Sequence, residues 1–182
     1  MKAGGEFAGD GTGSWTRWGA YGASAFTGAY GIMKLAQALG ANALADKDPL
    51  RPDLRARLLA RDPVFVASHW VLFALAAVGV VLALSTVRPW GWRVPRRPLL
   101  VLAAGLGALM VLRSCAPVGF GLIGDVRVLT GLAPPPSRYA ELSRMLARWD
   151  LFLWSPYFLV WGLLWLTTAL HLRRTSPRRR AT

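Results

Sequence analysis

The sequence predicts an all-α integral membrane protein: a bundle of four membrane-crossing helices, with two short interfacial helices in its non-cytoplasmic segments. Three observations predict it. Of the 182 residues, 54% are hydrophobic, and they fall in blocks rather than interleaving with polar positions as in soluble helices or strands. Residues 64–87 and 151–172 contain no Asp, Glu, Lys or Arg, and each is about as long as the ~20 residues a helix needs to cross a bilayer. Arginines crowd the ends of these blocks, at Arg88, Arg93, Arg96 and Arg97 and at Arg173, Arg174, Arg178, Arg179 and Arg180. That is the pattern of charge retained on the cytoplasmic side.

The glycine-rich residues 1–14 read as a disordered tail. They hold one lysine and no apolar run before Trp15, so they do not form a cleavable signal peptide. The first crossing spans about 18–39 of the transmembrane domain, residues 15–172. It is poor in leucine but carries Gly19, Ala23, Thr27 and Gly31 four residues apart. This small-residue face admits close backbone approach in lipid and offers a surface for homo-oligomer formation. Residues 41–63 hold charges of both signs and three prolines. Pro52 opens a short interfacial helix, with Leu54, Leu58 and Leu59 on one side and Arg55, Arg57 and Arg61 on the other. The second crossing is about 64–87.

Residues 88–93 read as a tight interfacial turn with Trp90 and Trp92 at headgroup level. The third crossing runs over about 98–119, starting at Pro98 and loosening around Pro117, Gly119, Gly121 and Gly124. After the rigid break Pro134-Pro135-Pro136, Ser137 is placed to cap a second interfacial helix bearing Tyr139, Leu142, Leu146 and Trp149 at helical spacing. The fourth crossing is about 151–172, kinked at Pro156 with Ser155 satisfying the freed carbonyls. Residues 173–182 form a basic tail.

The net charge of +13 raises nucleic-acid binding. The distribution excludes it, because the basic residues abut the apolar blocks and suit anionic lipid instead. Four crossings place the N-terminus, the 88–97 turn and the C-terminal tail on one side. Eleven basic residues lie there in short segments; nine are spread over the two longer segments opposite. Density favours both termini in the cytoplasm, in a plasma membrane.

Lys34 and Arg113 carry the most information, since a charge at the centre of a membrane helix costs ~2.5–3.5 kcal/mol on insertion scales. The topology brings both to the outer half of the bundle. There they meet His69 and Asp150 near the outer ends of the second and fourth crossings, and Asp125 just beyond the third. One reading is ordinary: the cations snorkel to headgroups, Asp150 caps its helix and His69 is a wet interfacial residue. The other is a shallow polar pocket open to the outside. Lys34 and Arg113 would there hold an anionic group, with Asp150 as counter-ion or proton acceptor.

Gly119-Phe-Gly-Leu-Ile-Gly124 matches G-x-G-x-x-G, but it lacks the preceding strand and following helix of a dinucleotide site. Cys115 is the only cysteine, which excludes internal disulfides, C-x-x-C chemistry and cysteine metal cages. His69 and His171 lie near opposite ends of their helices and cannot share a haem. Neither G-x-S-x-G nor H-E-x-x-H occurs. No cofactor and no metal are expected. No carboxylate is expected inside a crossing, which speaks against a proton-coupled exporter.

The segments Ala29-Tyr-Gly-Ile-Met-Lys34-Leu-Ala-Gln-Ala-Leu-Gly40 and Arg148-Trp-Asp-Leu-Phe-Leu-Trp-Ser-Pro156-Tyr-Phe-Leu-Val-Trp-Gly162 resemble a group of small four-helix membrane proteins of unknown function, common in high-GC bacteria. The resemblance covers about Trp15 to Ala169. It departs at Gln37, where an aromatic residue is usual, and at Ala41, where glycine is. It implies four helices and a plasma-membrane location, and no activity. Nineteen arginines against three lysines fit a high-GC genome independently. The leading expectation is a binding or accessory protein without enzymatic activity. An enzyme acting on a lipid or isoprenoid with Asp150 as acid or base comes second, and a dimeric transporter third.

Overall fold

A computed structural model describes residues 11–41, 47, 48, 50 and 52–175. Every regular element among them is helical: α1 (Gly11–Leu39), α2 (Pro52–Leu59), α3 (Pro63–Ser85), α4 (Arg96–Ser114), α5 (Leu122–Leu129), α6 (Ala140–Trp149) and α7 (Ser155–Thr175). Three helical runs are long and apolar enough to cross a membrane: Pro63–Ser85, Arg96–Ser114 and Ser137–Arg174. Their outward faces carry Val71, Val78, Val81, Val101, Leu112 and Leu163, all exposed. An apolar sheath of this kind is what lipid requires. The fourth long helix, α1, is not among these three.

Helix boundaries follow local chemistry. Asp62 accepts hydrogen bonds from the N–H groups of Val64 (3.0 Å) and Phe65 (3.2 Å), with Pro63 in the first turn of α3. At the end of α1, Gly40 takes a left-handed φ of 102°, so that Ala41 N–H reaches Ala36 O at 2.8 Å. That closure needs glycine. Arg61 donates to Ala38 O at 3.4 Å and helps finish the same helix end.

Helix α1 packs against α3 and α7, and α7 against α4; α3 and α4 share no comparable contact. The order across the molecule is therefore α3–α1–α7–α4, with one side open. The face predicted from Gly19, Ala23, Thr27 and Gly31 is buried within the chain. A Cβ on Gly31 would lie 2.9 Å from that of Ala76, and one on Gly79 3.0 Å from Thr27 Cγ2. This face is filled by α3 and α7, so a second copy does not find it open. Trp161 and Trp165 complete the core with Ala23, Ala83, Ala103 and Ala169, and Trp161 Nε1 donates to Thr27 Oγ1 at 2.9 Å.

Several sequence expectations change. Residues 11–14, expected in the tail, open α1; residues 1–10 and 176–182 lie outside the described residues. The third long helix stops at Ser114 rather than 119, and the chain turns back through the glycines into α5, which was not expected. Of the three leucines placed on one side of α2, Leu58 is buried, Leu54 half-buried and Leu59 exposed. Ser137 caps nothing: it starts a 3-10 turn, and no side chain caps α6. The second interfacial helix and fourth crossing are one helical run, Ser137–Arg174.

That run contains a wide π-turn at Asp150–Trp154, where Ser155 N–H donates to Asp150 O, five residues back. Pro156 has no N–H to give the preceding turn, so a regular helix already loses a bond here and the irregularity settles where least is lost. Asp150 is thus neither an N-cap nor outside a helix. It is a fully buried carboxylate within a continuous one, contrary to the expectation that none would be.

Candidate functional site

The end of the molecule where α1 and α4 finish and α3 begins gathers the ionic groups. Lys34 is buried near the end of α1 and donates to Gln37 Oε1 at 2.9 Å and Asp48 Oδ2 at 3.0 Å. Gln37 Nε2 also donates to Asp48 Oδ2, at 3.3 Å. Trp154 Nε1 fixes the adjoining chain by donating to Lys47 O at 2.8 Å. A Lys34 that snorkels into water is ruled out by this burial and pairing.

Arg113, in the last turn of α4, donates to Asp150 Oδ1 at 2.7 Å and to Phe120 O at 2.9 Å. Its guanidinium lies 5.0 Å from the Phe158 ring centroid. Asp150 also accepts from Ser155 Oγ at 2.7 Å, while Ser114 Oγ donates to Ser155 O at 2.7 Å. The two cations therefore take separate carboxylates, and Lys34 does not pair with Asp150.

Asp125 lies on α5, outside the candidate spans, and is buried against Asp150. Burial first, then the hydrogen bond and charge of Asp150, push its carboxyl up to about 8, against the opposing pull of Gly121 N–H and Arg113. Between its ordinary value of 3.8 and about 8, the folded chain keeps a proton that the unfolded chain has released. Stability therefore falls as pH rises through that window and levels off above it. The thermal midpoint of the detergent-solubilised protein is expected to drop by roughly 5 °C or more between pH 5 and pH 9. Asp125→Asn, with a permanent N–H donor, should flatten the slope. Equal slopes in the two proteins would contradict the assignment.

A chamber of about 320 Å³ opens beside these pairs, its wall including Tyr30, Lys34, Asp48, His69, Arg113 and Trp154. Three of the five expected residues, Lys34, His69 and Arg113, face it; Asp150 and Asp125 sit behind Arg113 as its support. His69 is buried, with Nδ1 2.8 Å from Phe65 O, and its Nε2 has no partner among the described residues. The chamber shares Tyr30, Leu72 and Phe158 with an apolar groove of about 290 Å³ lined also by Leu75, Leu109 and Trp165.

Sequence reasoning did not place Gln37, Asp48, Trp154 or Ser155 in the site; Ser155, expected to satisfy carbonyls freed by Pro156, donates to the Asp150 carboxylate instead. Gln37 lies one helical turn after Lys34 and was legible in principle. Asp48 was not, because a loop residue has no periodicity to place it. The G-x-G-x-x-G run is a folding device: Gly124 N–H donates to Ala116 O at 2.9 Å, and a Cβ on Gly121 would lie 2.7 Å from Ala116 N. Among the described residues no group of His, Cys, Asp and Glu is arranged to hold a metal. No known protein family, curated protein or solved structure matches the chain.

Proposed function

We propose that this is a four-crossing plasma-membrane protein of bacterial type, both termini cytoplasmic, acting as a binding or accessory protein whose chamber opens outward. The observation that carries this reading is Lys34, His69 and Arg113 lining one chamber at a single end of the molecule, beyond what helix packing needs. In this reading α1 crosses as well, completing the four, sheltered by α3 and α7 and so needing less apolar surface than a lipid-facing helix. Arg93, Arg96, Arg97, Arg173 and Arg174, all exposed at the opposite end, support a cytoplasmic placement there and contact with anionic lipid. The likeness of the Lys34 and Asp150 segments to small four-helix membrane proteins agrees with it.

A catalytic Asp150 gains no support, since that carboxylate lies behind Arg113 and is held by Ser155. A geometry poised for proton transfer would leave it facing the cavity. The test uses a Cys115→Ala background. Ser68→Cys, on the chamber wall and exposed, should react with a membrane-impermeant maleimide on intact cells. Arg93→Cys should react only after permeabilisation. The reverse pattern would overturn the orientation, and an unreactive Ser68→Cys in permeabilised and intact cells alike would overturn the open chamber.

A further inference from the structure

The chamber's charge is balanced before any ligand enters. Lys34 is matched by Asp48 at 3.0 Å and Arg113 by Asp150 at 2.7 Å. The sequence suggested that these cations would hold an anionic group; such a group would have to displace a carboxylate already in place. What the wall lacks is a partner for His69. Its Nδ1 is 2.8 Å from Phe65 O, and a carbonyl oxygen only accepts, so Nδ1 carries the ring proton. Nε2 is then a lone-pair acceptor, buried and unmatched among the described residues. A neutral imidazole has one donor and one acceptor nitrogen, and the donor is already used on Phe65 O. The missing partner is therefore a hydrogen-bond donor. Among the described residues Lys34 places two of its three N–H groups, on Gln37 and Asp48, which leaves a third to donate back.

The second half of the site is apolar. The groove joins the chamber through Tyr30, Leu72 and Phe158 and runs between α3 and α4, which do not close on one another. Leu75 and Leu109 flank its mouth from the two helices, both exposed. From Phe65 to Gly79 the combined path extends about 21 Å along α3, at 1.5 Å per residue. Its walls offer hydrocarbon contact, and the hydroxyl of Thr27 is already used by Ala23 O and Trp161.

We propose that chamber and groove together hold a neutral, hydroxyl-bearing amphiphile of the monoacylglycerol type, its hydroxyl donating to His69 Nε2 and its chain lying between α3 and α4. The proposal rests on the chamber being a binding site, as argued above, and narrows what it binds.

The experiment uses the full chain in phosphatidylcholine nanodiscs and a photoactivatable monoacylglycerol probe. Matched probes carry the same chain on a carboxylate or a phosphate. Saturable labelling of peptides covering 72–79 or 106–110, displaced by unlabelled monoacylglycerol at least ten-fold better than by the matched fatty acid or alkyl phosphate, is the expected result. His69→Leu should weaken labelling about ten-fold and His69→Gln, which returns an acceptor near the same place, should restore most of it. If an anionic probe competes better, or His69→Leu labels like the wild type, the neutral-hydroxyl proposal fails while the binding site stands. If none of the three probes labels the groove saturably, water alone satisfies His69 and the binding reading falls with it. The head-group comparison on the wild-type chain requires no variant to fold.

Discussion

Removing the guanidinium of Arg113 is expected to destabilise the protein by roughly 3–5 kcal/mol, the cost of stranding one member of a buried ion pair. Asp150 is fully buried, and without Arg113 it would keep Ser155 Oγ but no cation in contact. Asp150→Ala should cost less. Arg113 retains about a quarter of its side-chain exposure and can turn toward solvent, still donating to Phe120 O. The double replacement Arg113→Leu with Asp150→Leu should recover part of the loss, because neither charge is then left in an apolar setting. Thermal unfolding followed by circular dichroism, with the yield of monodisperse protein, measures all three. If Arg113→Ala unfolded within about 1 kcal/mol of the wild type, the pair would not be the support of the chamber wall that its geometry suggests.

The second large effect concerns the seam between α4 and α7. A Cβ on Gly162 would lie 2.8 Å from Gly107 O, and a Cβ on Gly107 2.9 Å from Gly162 O. Each glycine thus faces the other helix's backbone, which cannot step aside as a flexible side chain can. Gly162→Leu should force the helices apart and cost about 3 kcal/mol, at the upper end of overpacking penalties. Gly105, two residues from Gly107 on the same helix, has nothing within 4 Å of its Cβ position. Gly105→Leu should therefore unfold within about 0.5 kcal/mol of the wild type. Equal effects at Gly105 and Gly162 would mean that close packing against Gly107 does not set the cost at Gly162.

Periodicity and block hydropathy made most of the helical scaffold readable. The segments 64–87 and 151–172 stand out because lipid tolerates almost no charge along a lipid-facing helix, and α3 and α7 coincide with them to within a few residues. The stripe of small residues on α1 was readable for the same reason, although its partners turned out to be α3 and α7 of its own chain. Three features were hidden. The early end at Ser114 depends on Gly124 folding back onto Ala116 O, a tertiary contact that no local pattern announces. Asp48 meets Lys34 across a loop. Asp150 looked like a cap because a polar residue precedes an apolar run, yet the helix continues through it. At the site, charge and depth were enough to put Lys34, His69 and Arg113 at one level. They could not show which carboxylate each cation takes.

The wide turn at Asp150 sets the phase between two screws. One additional residue in a helix advances everything upstream by about 100° around the axis. With it, Leu146 and Ala147 point into the molecule, at 1% and 2% exposure, while Arg148 points out. Were the run a uniform α-helix of the same sequence, that arrangement would rotate by one position and carry Arg148 to the interior place that Ala147 now holds. The irregularity works as a clutch: it lets the lower part of the rod keep the seam that α4 needs, while the upper part presents an amphipathic surface with its own alignment.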